Sequence, residues 1–457
     1  MKRGMKIAEV LSGRAGLEGV RWLLLGKRVR TVLRRELDAL LDGADLLGPC
    51  HLRRAKFKPG RKFTAYYDVR VRPVRDCGNP VRPIAVTWTP EASAGWLDSQ
   101  PVLEMQTEAR RRGQMSPFHH LVANVPPDRM SIQISPLDTR FPQLVRMSDP
   151  RHVRSILPRV PSRSTAASYA ITPIRYRPGQ RHVLRYDAPN PLARTDNGST
   201  FFAKLYAEAN SAARSFRVAS RVADWLDEHG DGVASYRPLV YSAADAAVLY
   251  PEVVGAPLSR HFRGPRRETS RLAWLAGSAL RTLHTSSAEL TSELQLHTFA
   301  TELKEVARAS EHVDALMPTG ARTIAEVLER ARELHEQLPE EPPTFAHGDY
   351  KADHLFDTPA GLTLIDLDSC YMADPALDLG KFLADLQWWG AGHAQDAFLE
   401  GYGVCAAPRL RRARLYEALI LVKITVRRVR LFERHWATRT AQLIARAEKA
   451  LKVGELP

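Results

Sequence analysis

Apolar and polar positions alternate in short stretches of the first half of the chain and recur at helical spacing through most of the second. Lys56–Asp68 (KFKPGRKFTAYYD) and Arg175–Asp187 (RYRPGQRHVLRYD) each place alternating residues on both sides of a Pro-Gly pair. That pattern predicts two β-hairpins with Pro-Gly at the turn. A strand-like run follows each of them, Ile84–Trp88 and Phe202–Tyr206. Residues 208–228 then carry Ala212, Phe216, Ala219, Val222 and Leu226 on one helical stripe, and Ser270–His284 carries Leu272, Leu275, Ala276, Ala279, Leu280 and Leu283 on another. Between these helices, Ala246–Pro257 reads as a strand that runs into a linker. Residues 124–163, rich in Pro, Arg and Ser, read as a connecting region with short helices. Two β-type runs near the carboxyl side, His354–Phe356 and Leu362–Ile365, predict one more hairpin, and helices dominate from there to the end.

The length of 457 residues calls for two or three domains. No apolar run reaches the length of a membrane span, and the best amino-terminal stretch, Trp22–Leu25, is too short for the core of a signal peptide. The cytoplasm is the expected location, with no membrane partner. Cys50, Cys77, Cys370 and Cys405 fit no zinc spacing and no disulfide framework. The net charge of +15 is spread along the chain, densest at Arg110–Arg112 and Arg409–Arg414, and no zinc finger or RNA-recognition motif accompanies it. A solvated or substrate-steering surface is the expectation, and no nucleic-acid partner is expected.

The last hairpin changes the picture. It lies inside TFAHGDYKADHLFDTPAGLTLIDLDSCYMADPALDLG, where His347-Gly348-Asp349 and Ile365-Asp366-Leu367-Asp368 flank it. A loop Asp and a strand-end Asp are thereby brought to one place. Phosphoryl transfer uses such a pair, one carboxylate to orient the attacking hydroxyl and one to hold Mg²⁺ on the nucleotide phosphates.

HGDYKADH, then IDLD, then ADPALDLG, in this order and spacing, resembles the signature of the aminoglycoside phosphotransferase-like kinases, relatives of the protein kinases. The resemblance runs from about residue 170 to 400. It implies an α+β, bilobal protein-kinase-like fold with a small β-rich N-lobe and a larger helical C-lobe. An additional amino-terminal α+β domain would precede it. Three domains are therefore expected: residues 1–150 as a cap or scaffold, 151–254 as the N-lobe and 255–457 as the helical C-lobe.

The resemblance also implies roles for individual residues. Asp349 would be the catalytic base, with Lys351 neutralising charge on the transferring phosphoryl group. Asp366 would ligate Mg²⁺, and Asp368 would share the ion or serve the fold. His354 stands where relatives place Asn, so it would coordinate through water, bind a softer ion such as Mn²⁺, or leave one metal site unoccupied. Lys204 would pair with the phosphates of ATP. The Arg177–Arg181 turn, with Gly179, either meets them through its arginines or is purely structural. Backbone groups near Glu252 and Val253 would hold adenine. Asp378 would brace the catalytic loop, and His284 would close a helix. Helix 208–228 lacks a central Glu for Lys204 and offers Glu208 and Asp224 instead. Trp388 and Trp389 line a cleft or fill the core, with core the expectation.

The first hairpin echoes the second, and with Val86 aligned to Lys204 the earlier copy lacks the charge. Residues 1–150 would then hold a non-catalytic copy of the N-lobe sheet, unless the two hairpins match by chance. The expected activity is transfer of the γ-phosphate of ATP to a hydroxyl of a small molecule, whether sugar, aminoglycoside or amino alcohol. A pseudokinase or nucleotide-binding regulator, a peptide or protein kinase and a basic nucleic-acid-associated protein stand as alternatives.

Overall fold

A computed structural model of the chain describes residues 6–43, 46–72, 81–91, 99–157, 169–188, 200–286, 288–291 and 293–455. Cys77 lies outside them; Cys50, Cys370 and Cys405 are free thiols. The described residues form two compact units. One comprises residues 1–216, 238–252 and 430–434, and the other residues 217–237, 253–429 and 435–457. The fold is α+β, with sheets concentrated in the first unit and helices in the second.

The first unit opens with three helices, α1 (Ile7–Leu11), α2 (Gly16–Leu25) and α3 (Lys27–Ala39). A five-stranded antiparallel sheet follows: β1 (Leu47–Lys58), β2 (Lys62–Val71), β3 (Val81–Trp88), β4 (Val122–Val125) and β5 (Met130–Ile134), in the order β1-β2-β3-β5-β4. Helix α4 (Gln100–Arg111) lies between β3 and β4 in the chain, and α5 (Gln143–Met147) and α6 (Pro150–Ile156) come after β5. The second sheet is built from β6 (Ala170–Arg177), β7 (Arg181–Asp187), β8 (Thr200–Leu205), β10 (Val240–Ser242) and β11 (Ala247–Pro251). Its order, β6-β7-β8-β11-β10, repeats that of the first. Helix α7 (Ala209–His229) follows β8 as α4 follows β3. One apolar core joins the sheets, with Tyr66 and Ala85 from the first packed with Tyr176, Leu184, Phe201 and Leu249 from the second.

The repeat extends to the turns. Lys58 pairs with Lys62 and Arg177 with Arg181, each across three residues, and Gly60 and Gly179 take φ of 71° and 69°. Such left-handed geometry suits glycine, which has no Cβ to clash. The strand register corrects one expectation. Val183 faces Lys204 and Thr64 faces Thr87, so the position of Lys204 in the first sheet belongs to Thr87 and not to Val86. Val86 is fully buried on the other face of the strand. Thr87 shares a hydrogen bond of 3.2 Å with Thr64 and accepts one of 3.3 Å from Ser131 at its carbonyl. A hydroxyl ladder therefore stands where the second sheet has Val183, Lys204 and Val248. The stretch expected to be connecting, residues 124–163, supplies β5, because Ser131 and Gln133 alternate with buried Met130, Ile132 and Ile134 and pair with β3.

The second unit is mainly helical. Strand β9 (Val233–Ser235) joins β12 (Ala256–Pro257), β15 (Leu355–Thr358) and β16 (Gly361–Leu364) in a small sheet of order β12-β15-β16-β9. Strands β13 (Leu296–His297), β14 (Thr344–Ala346) and β17 (Tyr371–Ala373) make another. Around them run α8 (Leu258–His261), α9 (Arg266–His284), α10 (Ala288–Thr291), α11 (Phe299–Leu316), α12 (Pro318–Glu336), α13 (Ala376–Trp389), α14 (Gln395–Tyr402), α15 (Ala407–Arg427) and α16 (Trp436–Glu455). Helix α13 is buried from Ala376 to Leu386. Trp388 and Trp389 are half-buried, contrary to the expected core position. Arg428 and Arg439 lie over the ring of Trp388, and Arg263 lies over that of Trp389. Among the described residues no helix is long and apolar enough to cross a membrane.

Candidate active site

Strand β14 delivers the chain into His347-Gly348-Asp349, and the backbone there admits only glycine at 348. Its φ is +76°, and a Cβ would lie 2.0 Å from the carbonyl oxygen of Ser369. The carboxylate of Asp378, fully buried on α13, accepts the amides of His347 at 2.6 Å and Gly348 at 3.0 Å. Burial alone would raise the pKa of Asp378, but His284 and Lys381 outweigh it and hold it below the ordinary carboxylate value. His284, at the end of α9, also meets the Tyr402 hydroxyl at 2.9 Å, which gives it the structural role expected of it.

His347 ties the loop to the hairpin behind it. Its Nδ1 accepts the Asp349 amide at 3.3 Å, so its hydrogen sits on Nε2, which donates to the carbonyl of Ile365 at 3.0 Å. The turn Ala352–His354 leads into β15, with the Ala352 amide held by Asp385 at 2.7 Å. Leu355 then pairs with Leu364, and the Ile365 amide donates to the His354 carbonyl at 3.0 Å. Residue 366 leaves the strand in a left-handed conformation, φ 65° and ψ 53°, which swings the next residues into a short 3₁₀ turn.

One atom each from Asp349, His354 and Asp366 lies within 4.8 Å of the others. His354 Nε2 is 3.3 Å from Asp366 Oδ2, and its Nδ1 is 3.7 Å from Asp349 Oδ2. Lys351 Nζ donates to Asp349 Oδ2 at 2.6 Å. Although 38% of the Asp349 side-chain surface reaches solvent, the carboxylate lies among protein atoms, and that desolvation opposes its charged form. Lys351 and His354 outweigh it and bring the pKa down to about 2. Burial, with Lys351 adding to it, drives His354 down to about 3 against the pull of Asp366 and Asp349, so the imidazole is neutral at pH 7. Its Nδ1 is buried without a hydrogen-bond partner. Two carboxylates and a neutral imidazole with an unused lone pair form a donor set that fits one divalent cation. Asp368, on the 3₁₀ turn Leu367–Ser369, is outside this group.

Sequence reasoning missed a second layer. Lys381 is buried, and its ammonium donates to the carbonyl of Gly348 and, at 2.6 Å, to the Tyr371 hydroxyl. His297 stacks on the Tyr371 ring at 4.4 Å. Asp378, Lys381 and Asp385 lie three and seven residues apart, one face of a helix, and that spacing was the available signal.

Of the remaining expected residues, Lys204, Arg177, Gly179, Glu208 and Glu252 belong to the first unit, and Asp224 and Val253 to the second. Lys204, on β8, has its ammonium 5.2 Å from the centre of the Tyr250 ring. Arg177 and Gly179 are at the β6–β7 turn, and the Gly179 amide is already given to Asp138 at 2.7 Å. Glu208 is exposed just before α7, and Asp224 pairs with Arg237. Glu252 gives its amide to Thr200 at 3.1 Å, and the chain passes from one unit to the other between Glu252 and Val253.

Residues 182–416 match the sequence model of the phosphotransferase enzyme family. Several solved structures are similar. A choline/ethanolamine kinase family protein from Mesorhizobium loti is 18% identical over 60% of this chain and 85% of its own, with a TM-score of 0.43. An aminoglycoside-3'-phosphotransferase of type VIII is 21% identical over 60% of this chain and 99% of its own, with a TM-score of 0.40. The macrolide 2'-phosphotransferase of Brachybacterium faecium is 15% identical over 64% and 95%, with a TM-score of 0.38. No curated protein matches the chain.

Proposed function

Since the chain belongs to the phosphotransferase enzyme family, matched over more than half its length, we propose that it transfers the γ-phosphate of ATP to a hydroxyl of a small molecule. The observation that carries this reading is the convergence of Asp349, His354 and Asp366 at the β15–β16 hairpin. Asp349 accepts a hydrogen bond from the acceptor hydroxyl and aligns it with the phosphorus. With a pKa of about 2 it is fully ionised and a weak base, so its contribution is orientation first and proton acceptance late, as bond formation acidifies the hydroxyl. Lys351, 2.6 Å from Asp349, is placed to meet an oxygen of the transferring group. Asp366 and His354 hold a divalent cation, Mg²⁺ or Mn²⁺, and Asp368, outside that group, serves the fold. That ion, when bound, neutralises charge on the phosphates. The imidazole nitrogen favours Mn²⁺ more than an oxygen ligand would.

In the first unit, Lys204 takes the β- and α-phosphates and Arg177 contributes charge. The backbone around Glu252 and Val253 holds adenine. The two sheets share a core, which supports a scaffold role for residues 1–150 beside an N-lobe of residues 151–254. Residues 255–457 supply the catalytic loop. A net charge of +15 favours a neutral or anionic, sugar-like acceptor over a strongly cationic one.

The test is ATP and GTP consumption against sugars, aminoglycosides and amino alcohols, with Mg²⁺ or Mn²⁺ and with Asp349→Ala as control. An acceptor that stimulates turnover only when Asp349 is present supports the reading. It fails if no acceptor stimulates turnover and Asp366→Ala leaves metal-dependent ATP binding unchanged.

A further inference from the structure

The glycine amide of each hairpin turn is already engaged, and the two engagements differ. In the first sheet, Gly60 donates to the carbonyl of Leu11, the last residue of α1, at 2.8 Å. In the second, Gly179 donates to Oδ2 of Asp138 at 2.7 Å, and His182 Nε2 lies 2.7 Å from the same oxygen. The other carboxylate oxygen accepts the Arg140 amide at 3.0 Å, and Arg140 Nη1 donates to the Gly179 carbonyl at 3.2 Å. Asp138 is 2% exposed and His182 is 0% exposed. Beginning four residues after the end of β5, the chain thus grips both backbone groups of the turn tip and the second residue of β7.

This arrangement excludes one way of holding phosphate. An amide donated to a buried carboxylate is not free for an anion, and the carboxylate behind it repels one. What the turn can offer is its flanking arginines, Arg177 and Arg181, which are paired across the strands. Burial and the nearby Arg54, Arg175 and Arg181 depress the Arg177 pKa to about 9, which marks a surrounding short of negative charge. Side chains are flexible where amides are not, so their value to a ligand depends on how rigidly the turn presents them.

We propose that Asp138 is a positioning residue for the phosphate end of the nucleotide, clamping the Arg177–Arg181 turn so that its arginines meet the phosphates. This rests on the reading given above, that the turn faces ATP. The amino-terminal half of the chain thereby supplies a part of the nucleotide site that touches no nucleotide. The clamp also distinguishes the two sheets: the first fastens its turn through a neutral carbonyl and has Thr87 at the lysine position.

The experiment is calorimetric binding of ATP and of adenosine to the full-length protein and its variants. Asp138→Ala is expected to weaken ATP about tenfold, about 1.4 kcal/mol, while adenosine stays within about twofold. Asp138→Asn keeps an acceptor oxygen for Gly179 and is expected to retain ATP affinity within about threefold. Arg140→Ala, at an exposed position, is expected to weaken ATP about threefold and to spare adenosine. Equal losses for both ligands would reduce Asp138 to a fold-stabilising residue and overturn the proposal. So would ATP affinity indifferent to Asp138→Ala in a protein where Lys204→Ala weakens it. If Asp138→Ala does not fold, Arg140→Ala decides the matter, and unchanged ATP binding there overturns the proposal. ATP binding indifferent to Lys204→Ala and Arg177→Ala together refutes the underlying nucleotide reading itself, which separates the two failures.

Discussion

His347 donates to the carbonyl of Ile365 across 3.0 Å, so the loop that carries Asp349 and the strand end that carries Asp366 share a hydrogen bond. Neither carboxylate can drift without straining it. Replacing His347 with Ala leaves the Ile365 carbonyl without this donor and removes the acceptor of the Asp349 amide. We expect a stability loss of about 1–3 kcal/mol, visible as a lower Tm. Acceptor-dependent turnover should fall by more than about tenfold. Wild-type turnover in a correctly folded His347→Ala protein would show that the bond positions nothing.

Lys381 restrains the same loop through the carbonyl of Gly348. Lys381→Met leaves Glu302 and Asp378, both of which feel the ammonium, in a less favourable field. Loss of a buried, hydrogen-bonded charge costs about 3 kcal/mol. The kinetic signature should be specific: kcat falls at least tenfold while ATP affinity, measured by titration, changes little. A variant with weakened ATP binding and normal kcat would contradict this role.

On the proposed reading, His354 would set the choice of cation. Chelation of divalent ions should abolish turnover. His354→Asn exchanges a nitrogen donor for an oxygen donor at the same place and should keep or raise activity with Mg²⁺ while lowering the advantage of Mn²⁺. A fall of more than about tenfold with both ions, about 1.4 kcal/mol in barrier, would give the imidazole a role of its own.

His312 on α11 gives the fold a pH dependence of its own. Burial lowers its pKa from 6.5 to about 4. The unfolded chain therefore takes up a proton first as pH falls, and the folded state loses stability progressively from about pH 6.5 to about 4. The full effect of this one group is about 3 kcal/mol, present above that window and gone below it. Thermal unfolding of His312→Gln should lose less Tm between pH 7 and pH 5 than the parent protein loses. Parallel curves would assign the acid sensitivity elsewhere.

The α+β class, the two Pro-Gly hairpins and the stripe of α7 were legible because each is local: alternation, turn chemistry and a 3.6-residue period lie within about twenty residues of one another. The carboxylate pair was legible because its two turns flank one hairpin. What could not be read depends on partners distant in the chain. Strands β4 and β5 are short and bordered by Pro and Arg, and only pairing makes them strands, β5 with β3 and β4 with β5. The alignment of Thr87 with Lys204 needed the strand register, since a one-residue slip exchanges the faces. Trp388 and Trp389 read as core by composition, but arginines from elsewhere in the chain cover them at the surface instead. The grip of Asp138 on Gly179 spans forty-one residues and leaves no local pattern.

The left-handed backbone at Asp366 has a consequence for how this chain can change. A glycine there would adopt φ 65° without the steric cost of a Cβ, about 1 kcal/mol, and would fold more easily. It would also delete a carboxylate from the group formed with Asp349 and His354. Selection for robustness alone would drift position 366 towards glycine, and selection for chemistry alone would hold it at aspartate. A library screened first for heat resistance and then for turnover would reveal which demand this protein has been under.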